Sequence, residues 1–520
     1  MHRSGFRLLA FCFLILLAAQ ASAATHCVTL VSVDIETSEV LSAIESRDLV
    51  EPYLGACIDA ELTRELLAVI SDHLIANGYV TSRPYLLEQD ISDGQIEIRI
   101  LPGIIEKIID ADSGRGSGKI TTAFLSTPEI LNLREIETAL ERIERVSSIT
   151  ANIEIRPGTV QGGSIVAVKT TELDPFRLEL GANAQTELED QLSLLLNWDN
   201  PLNINDILQI RLNDGELREQ FQSNRSREFS YSFPLGPYLL ALRHSEIEFK
   251  QRIQGSVGSF LSEGETDSDR FAISRIVARN QSNRVTLGLA LELEHTDNFL
   301  EDEPIDVSSY RTTQLLIDLN HDWYQPWGQL GMNYSYRQGL DSFGARDDDY
   351  FTRNDGAENE ARLQFEMFSI DGRMVYLLGS SDRYLDVNLH LQYSDDILFD
   401  GDKLNLGSPY TVRGYSSALS GSNAWYLHSD IRWQLQSTVN PLSETGLVKS
   451  ITLSLGLDYG EVKCEVDNRD VCGEIYGAGL GLVVSDANFS GRFLWGRPLK
   501  KIGDGIGDED RFLLDLRWGL

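Results

Sequence analysis

The chain has 520 residues, and its 79 Asp and Glu outnumber 45 Lys and Arg, giving a formal net charge of −34. That balance argues against nucleic acid as a partner, because phosphate binding needs clustered Lys and Arg. The mean hydropathy is mildly polar at −0.18, and no stretch past the N-terminus approaches the ~18 consecutive apolar residues of a membrane helix.

The N-terminus reads as an export signal. Arg3 and Arg7 flank or precede an apolar run over residues 8–19, and Ala21-Ser22-Ala23 forms an A-x-A site. The run is too short to span a bilayer, so residues 1–23 are expected to be cleaved; the alternative is an N-terminal anchor helix. Ala24-Thr25-His26 before Cys27 is not a lipoprotein box. Beyond the signal stand Cys27, Cys57, Cys464 and Cys472. An even number in an oxidising compartment predicts two disulfides, and sequence neighbours give Cys27–Cys57 and Cys464–Cys472. Zinc is the rival, but there is no paired C-x-x-C and no His at ligand spacing, so no metal is expected.

Residues 28–173 mix helical and strand periods. Residues 28–35 read as a strand. Asp59 caps a helix with Leu62, Leu66, Ile70 and Leu74 on one stripe, and Asn77-Gly78 stops it. Residues 79–87 and 95–104 read as strands turning at Asp93-Gly94. The order then repeats. Asn132 and Glu135 suggest a capping box, Leu133, Ile136, Leu140 and Ile143 line a helix, and residues 150–156 and 165–171 follow as strands. Two modules of about 70 residues are expected, each strand, helix, strand, strand. Gly114 to Gly118 reads as a flexible turn, since Ser113 and Ile120 break any phosphate-loop pattern.

From Phe176 to Leu520 the alternation has period two. Phe176, Leu178 and Leu180 alternate with Arg177 and Glu179; Leu192 to Trp198, Leu208 to Leu212, Phe229 to Phe233, residues 285–293, Leu315 to Leu319 and residues 385–393 repeat the pattern. A soluble sandwich alternates too. An export signal together with Trp323, Tyr324 and Trp327 at a strand end favours lipid-facing strands with an aromatic girdle. At the end, Phe512, Leu514, Leu516, Trp518 and Leu520 face one way and Asp515, Arg517 and Gly519 the other, as in a closing barrel strand. Glu301-Asp302-Glu303 and Asp347-Asp348-Asp349 read as solvated loop tips rather than calcium sites.

These features carry a family resemblance. Gly78-Tyr79-Val80-Thr81-Ser82-Arg83, Gln89-Asp90, Asp93-Gly94 and Pro102-Gly103-Ile104-Ile105-Glu106 resemble the first POTRA domain of two-partner secretion (TpsB-type, haemolysin secretion/activation) transporters of the Omp85 superfamily. Asn132-Leu133-Arg134 through Arg142-Ile143 resembles the second. Val412-Arg413-Gly414-Tyr415 resembles the sixth-outer-loop motif of that superfamily, and Gly456-Leu457-Asp458-Tyr459-Gly460 its thirteenth-strand motif. The resemblance implies a transmembrane antiparallel β-barrel of 16 strands (residues 174–520) preceded by two periplasmic α+β POTRA domains (27–103 and 104–173). Sixteen strands leave about 22 residues per strand and turn. Counted from the end, strands 16 to 11 are expected near 511–520, 489–497, 474–485, 450–461, 424–436 and 384–394.

The residues themselves agree on one constellation. If Leu453, Leu455 and Leu457 face lipid, Asp458 shares the inner face with Ser454 and Gly456. An inward carboxylate needs a cation, and Arg413 from a tucked loop offers a bidentate pair, with Gly456 and Gly460 leaving room for the loop. The alternative leaves Arg413 exposed in a loop and Asp458 a wetted lumen charge.

No G-x-S-x-G, no H-E-x-x-H and no nucleotide motif is present, so no catalytic residue and no cofactor are expected. The resemblance implies an outer-membrane monomer in a Gram-negative cell, inserted by the barrel assembly machinery among lipid and lipopolysaccharide. It would bind an unfolded exoprotein (TpsA-type) at its POTRA domains by β-augmentation and pass it through the barrel. An Omp85-type insertase and a passive diffusion pore are the alternatives. The family's N-terminal plug helix has little room between the cleavage site and Val28, so the lumen is expected to lack it or to be filled by another element.

Overall fold

The computed structural model describes residues 27–35, 40–124, 130–185, 190–215, 222–254, 258–348, 361–416, 418–435, 449–463, 470–502 and 509–520. The predicted export signal and Cys464 lie outside the described residues. The described chain forms two compact units, one from residues up to 114 with 130–138 and 153–168, the other from the remainder.

The first unit opens with β1 (Ser32–Ile35), α1 (Ala43–Val50), α2 (Ala60–Ala76), β2 (Arg83–Leu86) and β3 (Gln95–Leu101). β3 is the middle strand, parallel to β1 and antiparallel to β2. α2 begins where the Asp59 carboxylate accepts the N–H of Glu61 and Leu62 at 2.9 and 2.8 Å. Its stripe Leu62, Leu66, Ile70 and Leu74 packs against Ile96, Ile98 and Ile100 of β3. Gly78 sits at φ +92°, where an L side chain is strained and where a Cβ would lie 2.4 Å from the Asn132 amide oxygen. Cys27 is disulfide-bonded to Cys57.

The sequence reading missed two helices and one strand here, and ran β3 on to Ile104. α1 carries a full capping box, Ser42 with Glu45. β3 ends at Leu101, and β4 (Ile104–Asp110) starts a new sheet, because Pro102 lacks an N–H and Gly103 is pressed against Thr81, so the ladder breaks. The Gly114 to Gly118 run is not all turn: Ser117 caps a short helix, α3 (Gly118–Ala123).

After α3 come α4 (Leu133–Glu144), β5 (Ile149–Pro157) and β6 (Gly163–Glu172). β6 lies between β4 and β5 and is parallel to β4. The buried face of α4 is Ile136, Ala139 and Ile143, with Leu133 and Leu140 only half-buried at its flanks. At its start the Asn132 side chain accepts the Arg134 N–H at 2.9 Å.

The barrel follows: β7 (Phe176–Gln185), β8 (Gln191–Asp199), β9 (Ile207–Asp214), β10 (Gln222–Leu235), β11 (Tyr238–Gln254), β12 (Ser259–Arg279), β13 (Asn283–Leu300), β14 (Tyr310–Gln325), β15 (Gly328–Gly339), β16 (Glu366–Leu377), β17 (Arg383–Tyr393), β18 (Ala424–Leu435), β19 (Ser450–Val462), β20 (Gly473–Ser485), β21 (Phe489–Pro498) and β22 (Arg511–Gly519). All sixteen pair antiparallel with their neighbours in sequence, and β22 closes on β7, with Leu514 opposite Ala184. Closure removes both sheet edges and so satisfies every backbone polar group that hydrocarbon cannot. Leu453, Leu455 and Leu457 are exposed outward while Gly456, Asp458 and Gly460 are buried inward. Aromatic pairs mark one rim, among them Phe176–Trp198, Trp327–Tyr376 and Phe489–Trp518.

Two expectations change. β10 to β14 run 14, 17, 21, 18 and 16 residues, well beyond the ~10 needed to cross a bilayer. Asp348 is not a solvated tip: its carboxylate accepts the Leu363 N–H at 2.6 Å, and burial pushes its pKa up.

Candidate functional site

The loop between β17 and β18 folds back on itself through a small ribbon, Leu404–Leu406 against Leu419–Gly421. Its apolar residues Leu406, Val412, Tyr415 and Leu419 pack with Val462 and Ile475 of the barrel wall. This places Val412-Arg413-Gly414-Tyr415 against the inner faces of β18 to β21.

Arg413 is 1% exposed. Its Nε and Nη2 donate to the two carboxylate oxygens of Asp458 at 2.7 and 2.6 Å, and its backbone N–H donates to the same group at 3.0 Å. Nη1 donates to Asp430 at 2.7 Å, and Nη2 also to the Ser429 carbonyl at 3.0 Å. A flat guanidinium between two carboxylates uses its fork in two directions, which an ammonium cannot do. His428 adds a third contact, with Nδ1 3.1 Å from both Asp458 and the Thr411 carbonyl. Asp430 is shared with Arg432, and Arg432 and Arg373 both reach Asp386 at 3.2 Å. The charges alternate along the inner wall, beside a cavity of about 390 Å³ that Arg373, Arg413, Arg432 and Arg492 help to line.

Glycines make the seat. A Cβ at Gly456 would lie 1.9 Å from Arg413 Nη2, at Gly477 2.3 Å from the Arg413 carbonyl oxygen, at Gly479 2.5 Å from Arg413 Cδ, and at Gly460 2.8 Å from Val412. Gly414 itself has φ +90° and lies against Arg497 and Pro498 of β21. The Tyr415 hydroxyl lies 2.9 and 2.6 Å from the carbonyl oxygens of Tyr476 and Lys500, its one proton going to either, and accepts the Lys500 N–H at 3.1 Å; these contacts hold the loop's other side.

The structure thus brings Val412, Arg413, Gly414 and Tyr415 together with Gly456, Asp458 and Gly460. Sequence reasoning did not name Asp430, His428, Gly477 or Gly479. A signal was available: His428, Asp430 and Arg432 recur at every second position of β18, and Gly477, Gly479 and Gly481 do so on β20. Of the cysteines, Cys472 is disulfide-bonded. Among the described residues, His244, Glu246 and Asp267 are the one group with metal-like spacing. Two of them are already engaged, His244 with Asp269 at 2.9 Å and Glu246 with Arg227 at 3.0 Å.

The quoted POTRA residues have structural tasks. Gln89 exchanges two 2.7 Å bonds with the backbone of Glu97, Asp93 accepts the Gln95 N–H, and Ser82 accepts the Gly103 N–H.

The family model described as haemolysin secretion/activation protein ShlB/FhaC/HecB matches residues 162–484. The chain belongs to this family. A ShlB-type POTRA domain matches residues 28–103. ShlB/FhaC/HecB-type relatives include the outer membrane transporter CdiB of Escherichia coli O6:K15:H31, 27% identical over 92% of this chain and 81% of that protein. The hemolysin transporter HpmB of Proteus mirabilis is 24% identical over 84% and 76%. The solved structure of CdiB from Escherichia coli superposes with a TM-score of 0.85 at 24% identity, covering 96% of this chain and 92% of that one. CdiB from Acinetobacter baumannii gives 0.77 at 21%, covering 95% and 90%. The chain is accordingly a two-partner secretion transporter of the outer membrane, with its POTRA region in the periplasm. Family members are transporters rather than enzymes.

Proposed function

We propose that this transporter secretes one large exoprotein, captures it unfolded at two POTRA modules (27–103 and 104–173), and passes it through the barrel (174–520) under control of the loop that carries Arg413. The exoprotein is of the class that CdiB, HpmB and their kin export. The protein works as a monomer, is delivered by the barrel assembly machinery, and sits among lipid and lipopolysaccharide. One observation carries the gating part: Arg413, on a loop inside the lumen, is held by Asp458 and Asp430. The Arg413–Asp458 pair holds the loop in the pore in a transport-competent geometry. Cys27–Cys57 and the cysteines 464 and 472 are structural ties in this reading.

The test compares secreted and outer-membrane proteins of a strain with this chain and a strain without it, by mass spectrometry. Loss of one large exoprotein from the medium, with barrel proteins steady, is the expected result. A joint fall of several barrel proteins, or no change in either set, overturns it.

A further inference from the structure

In the lower half of β10 to β13 the outer face is apolar and the inner face polar, as lipid and a wet lumen require. Leu242, Phe229, Phe271 and Ile273 are exposed outward, and Arg243 pairs inward with Glu228 at 2.7 Å. Along β11 this arrangement inverts after His244. The outer face continues as His244, Glu246, Glu248 and Lys250, with Arg227–Glu246 at 3.0 Å and Arg225–Glu248 at 3.6 Å. The inner face continues as Ile247, Phe249, Gln251 and Ile253. The pairings with β10 and β12 hold one register through the change, so no bulge swaps the faces. The charged outer face marks where lipid ends, and the sheet stands out beyond it.

On β11, and at Phe260 of β12, the inner face of this extension is therefore apolar in a watery setting, while Ser226 and Asn224 of β10 and Thr266 and Gly264 of β12 lie opposite Ile247 and Phe249. Ile247 and Ile253 are 43% and 41% exposed. Ile253 lies directly across from Phe260, and Phe249 leans over Gly264, where a Cβ would meet its ring at 2.2 Å. Two exposed isoleucines flanking two half-buried aromatics form an apolar patch that wants a partner. The patch is continuous with the lumen wall, on the same strands and the same face, so whatever leaves the pore runs along it. Its side chains stand two residues apart along each strand, about 6.8 Å, the spacing of apolar side chains on one face of an extended chain.

We propose that the inner face of the β11–β12 extension, centred on Ile247, Phe249, Ile253 and Phe260, is an exit platform that binds apolar-alternating, β-forming segments of the exported polypeptide as they emerge. This rests on the secretion reading above. Transient burial there keeps emerging segments extended and off one another, and slows their return into the pore.

The test places the photo-crosslinker p-benzoylphenylalanine at Ile247 or Ile253, and at Glu246 or Glu248 as outer-face controls, in the full-length protein in cells. The probe is the exoprotein whose release depends on this chain. That dependence is read first, and its absence removes the secretion reading itself. Given dependence, crosslinks to the exoprotein from 247 and 253 and none from 246 and 248 are expected. Crosslinks only to this chain's own loops, only to lipopolysaccharide, or to nothing while export continues overturn the platform. The double variant Ile247→Ser with Ile253→Ser is expected to keep the heat-resistant folded barrel and to lower release by roughly tenfold; release at the wild-type level overturns the proposal.

Discussion

The guanidinium of Arg413 grips the Asp458 carboxylate with two nitrogens, and the Arg413 backbone N–H binds the same carboxylate. The side chain and the loop backbone are therefore fixed by one anion. Arg413→Ala leaves Asp458 and Asp430 buried without their cation, an imbalance that costs about 3–5 kcal/mol when one partner of a buried pair is removed. Release of the loop is the cheapest relief, because the barrel's own ladder is untouched. Export is expected to fall to background while the barrel still migrates as a folded species in unheated gels. Arg413→Lys is expected not to rescue, since an ammonium cannot fork to two carboxylates. Wild-type export by either variant sinks the gating role.

The glycine seat predicts a separate phenotype. Gly477→Ala would put a Cβ 2.3 Å from the Arg413 carbonyl oxygen, which is backbone and cannot rotate away, whereas a Cβ at Gly401 meets nothing within 4 Å. Gly477→Ala should displace the loop and raise single-channel conductance in planar bilayers. Gly401→Ala should leave conductance unchanged. Equal conductance in both variants means the loop is not what narrows the pore.

A third expectation concerns the turns at the rim near β8 and β9. Arg145 is largely buried and donates to Ser232 Oγ at 2.9 Å, to the Asn205 carbonyl at 2.8 Å and to the Ser232 carbonyl at 3.1 Å. Burial pushes its pKa down, against the pull of Asp206 and Asp199. Asp199, 1% exposed, accepts the Ser148 N–H at 2.9 Å. Arg145→Ala strips the carbonyl of buried Asn205 and that of half-buried Ser232 of a charged donor, at about 1–3 kcal/mol for the buried one. Hydrogen exchange over residues 199–206 should accelerate, with exchange in β19 and β20 unchanged. Slow exchange at 199–206 in the variant rules out a clamp at Arg145.

How much of this was legible follows from period. Barrel strands read clearly wherever one face stays apolar from end to end, and the expected spans of the last six strands lie within a residue or so of β17 to β22. The middle of the barrel was obscure because β11 exchanges its apolar face after His244, which spoils the count that alternation relies on. Arg413 and Asp458 were readable from their motifs and the inward phase of Asp458. Asp430 was not, because which inward carboxylate lies beside a loop cation depends on the register of β18 against β19, where Asp430 sits opposite Gly456. In the first unit, the α1 capping box at Ser42 and Glu45 was a signal passed over, while the break at Pro102-Gly103 hid in a continuous apolar run.

The Pro102-Gly103-Ile104-Ile105-Glu106 stretch carries the last prediction. The Glu106 carboxylate accepts the N–H of Val160 and Thr159 at 2.9 and 2.7 Å and the Thr159 hydroxyl at 2.9 Å. Gly158 and Gly163 leave it room, since a Cβ at either would fall 1.9 Å from Glu106 Oε1. The Val160 N–H bond, with smaller help from Thr159, holds the carboxyl pKa below the ordinary value, which is about 4.3. A depressed folded-state pKa means the ionised form is the one the fold favours. Its contribution is therefore complete above the unfolded value and is lost as pH falls through the lower, folded value. The Thr159 and Val160 amide resonances should titrate with a midpoint below about 4.3, and Glu106→Gln should abolish that titration. A midpoint at or above the ordinary glutamate value, or the same curve in the variant, means that Glu106 does not hold the turn.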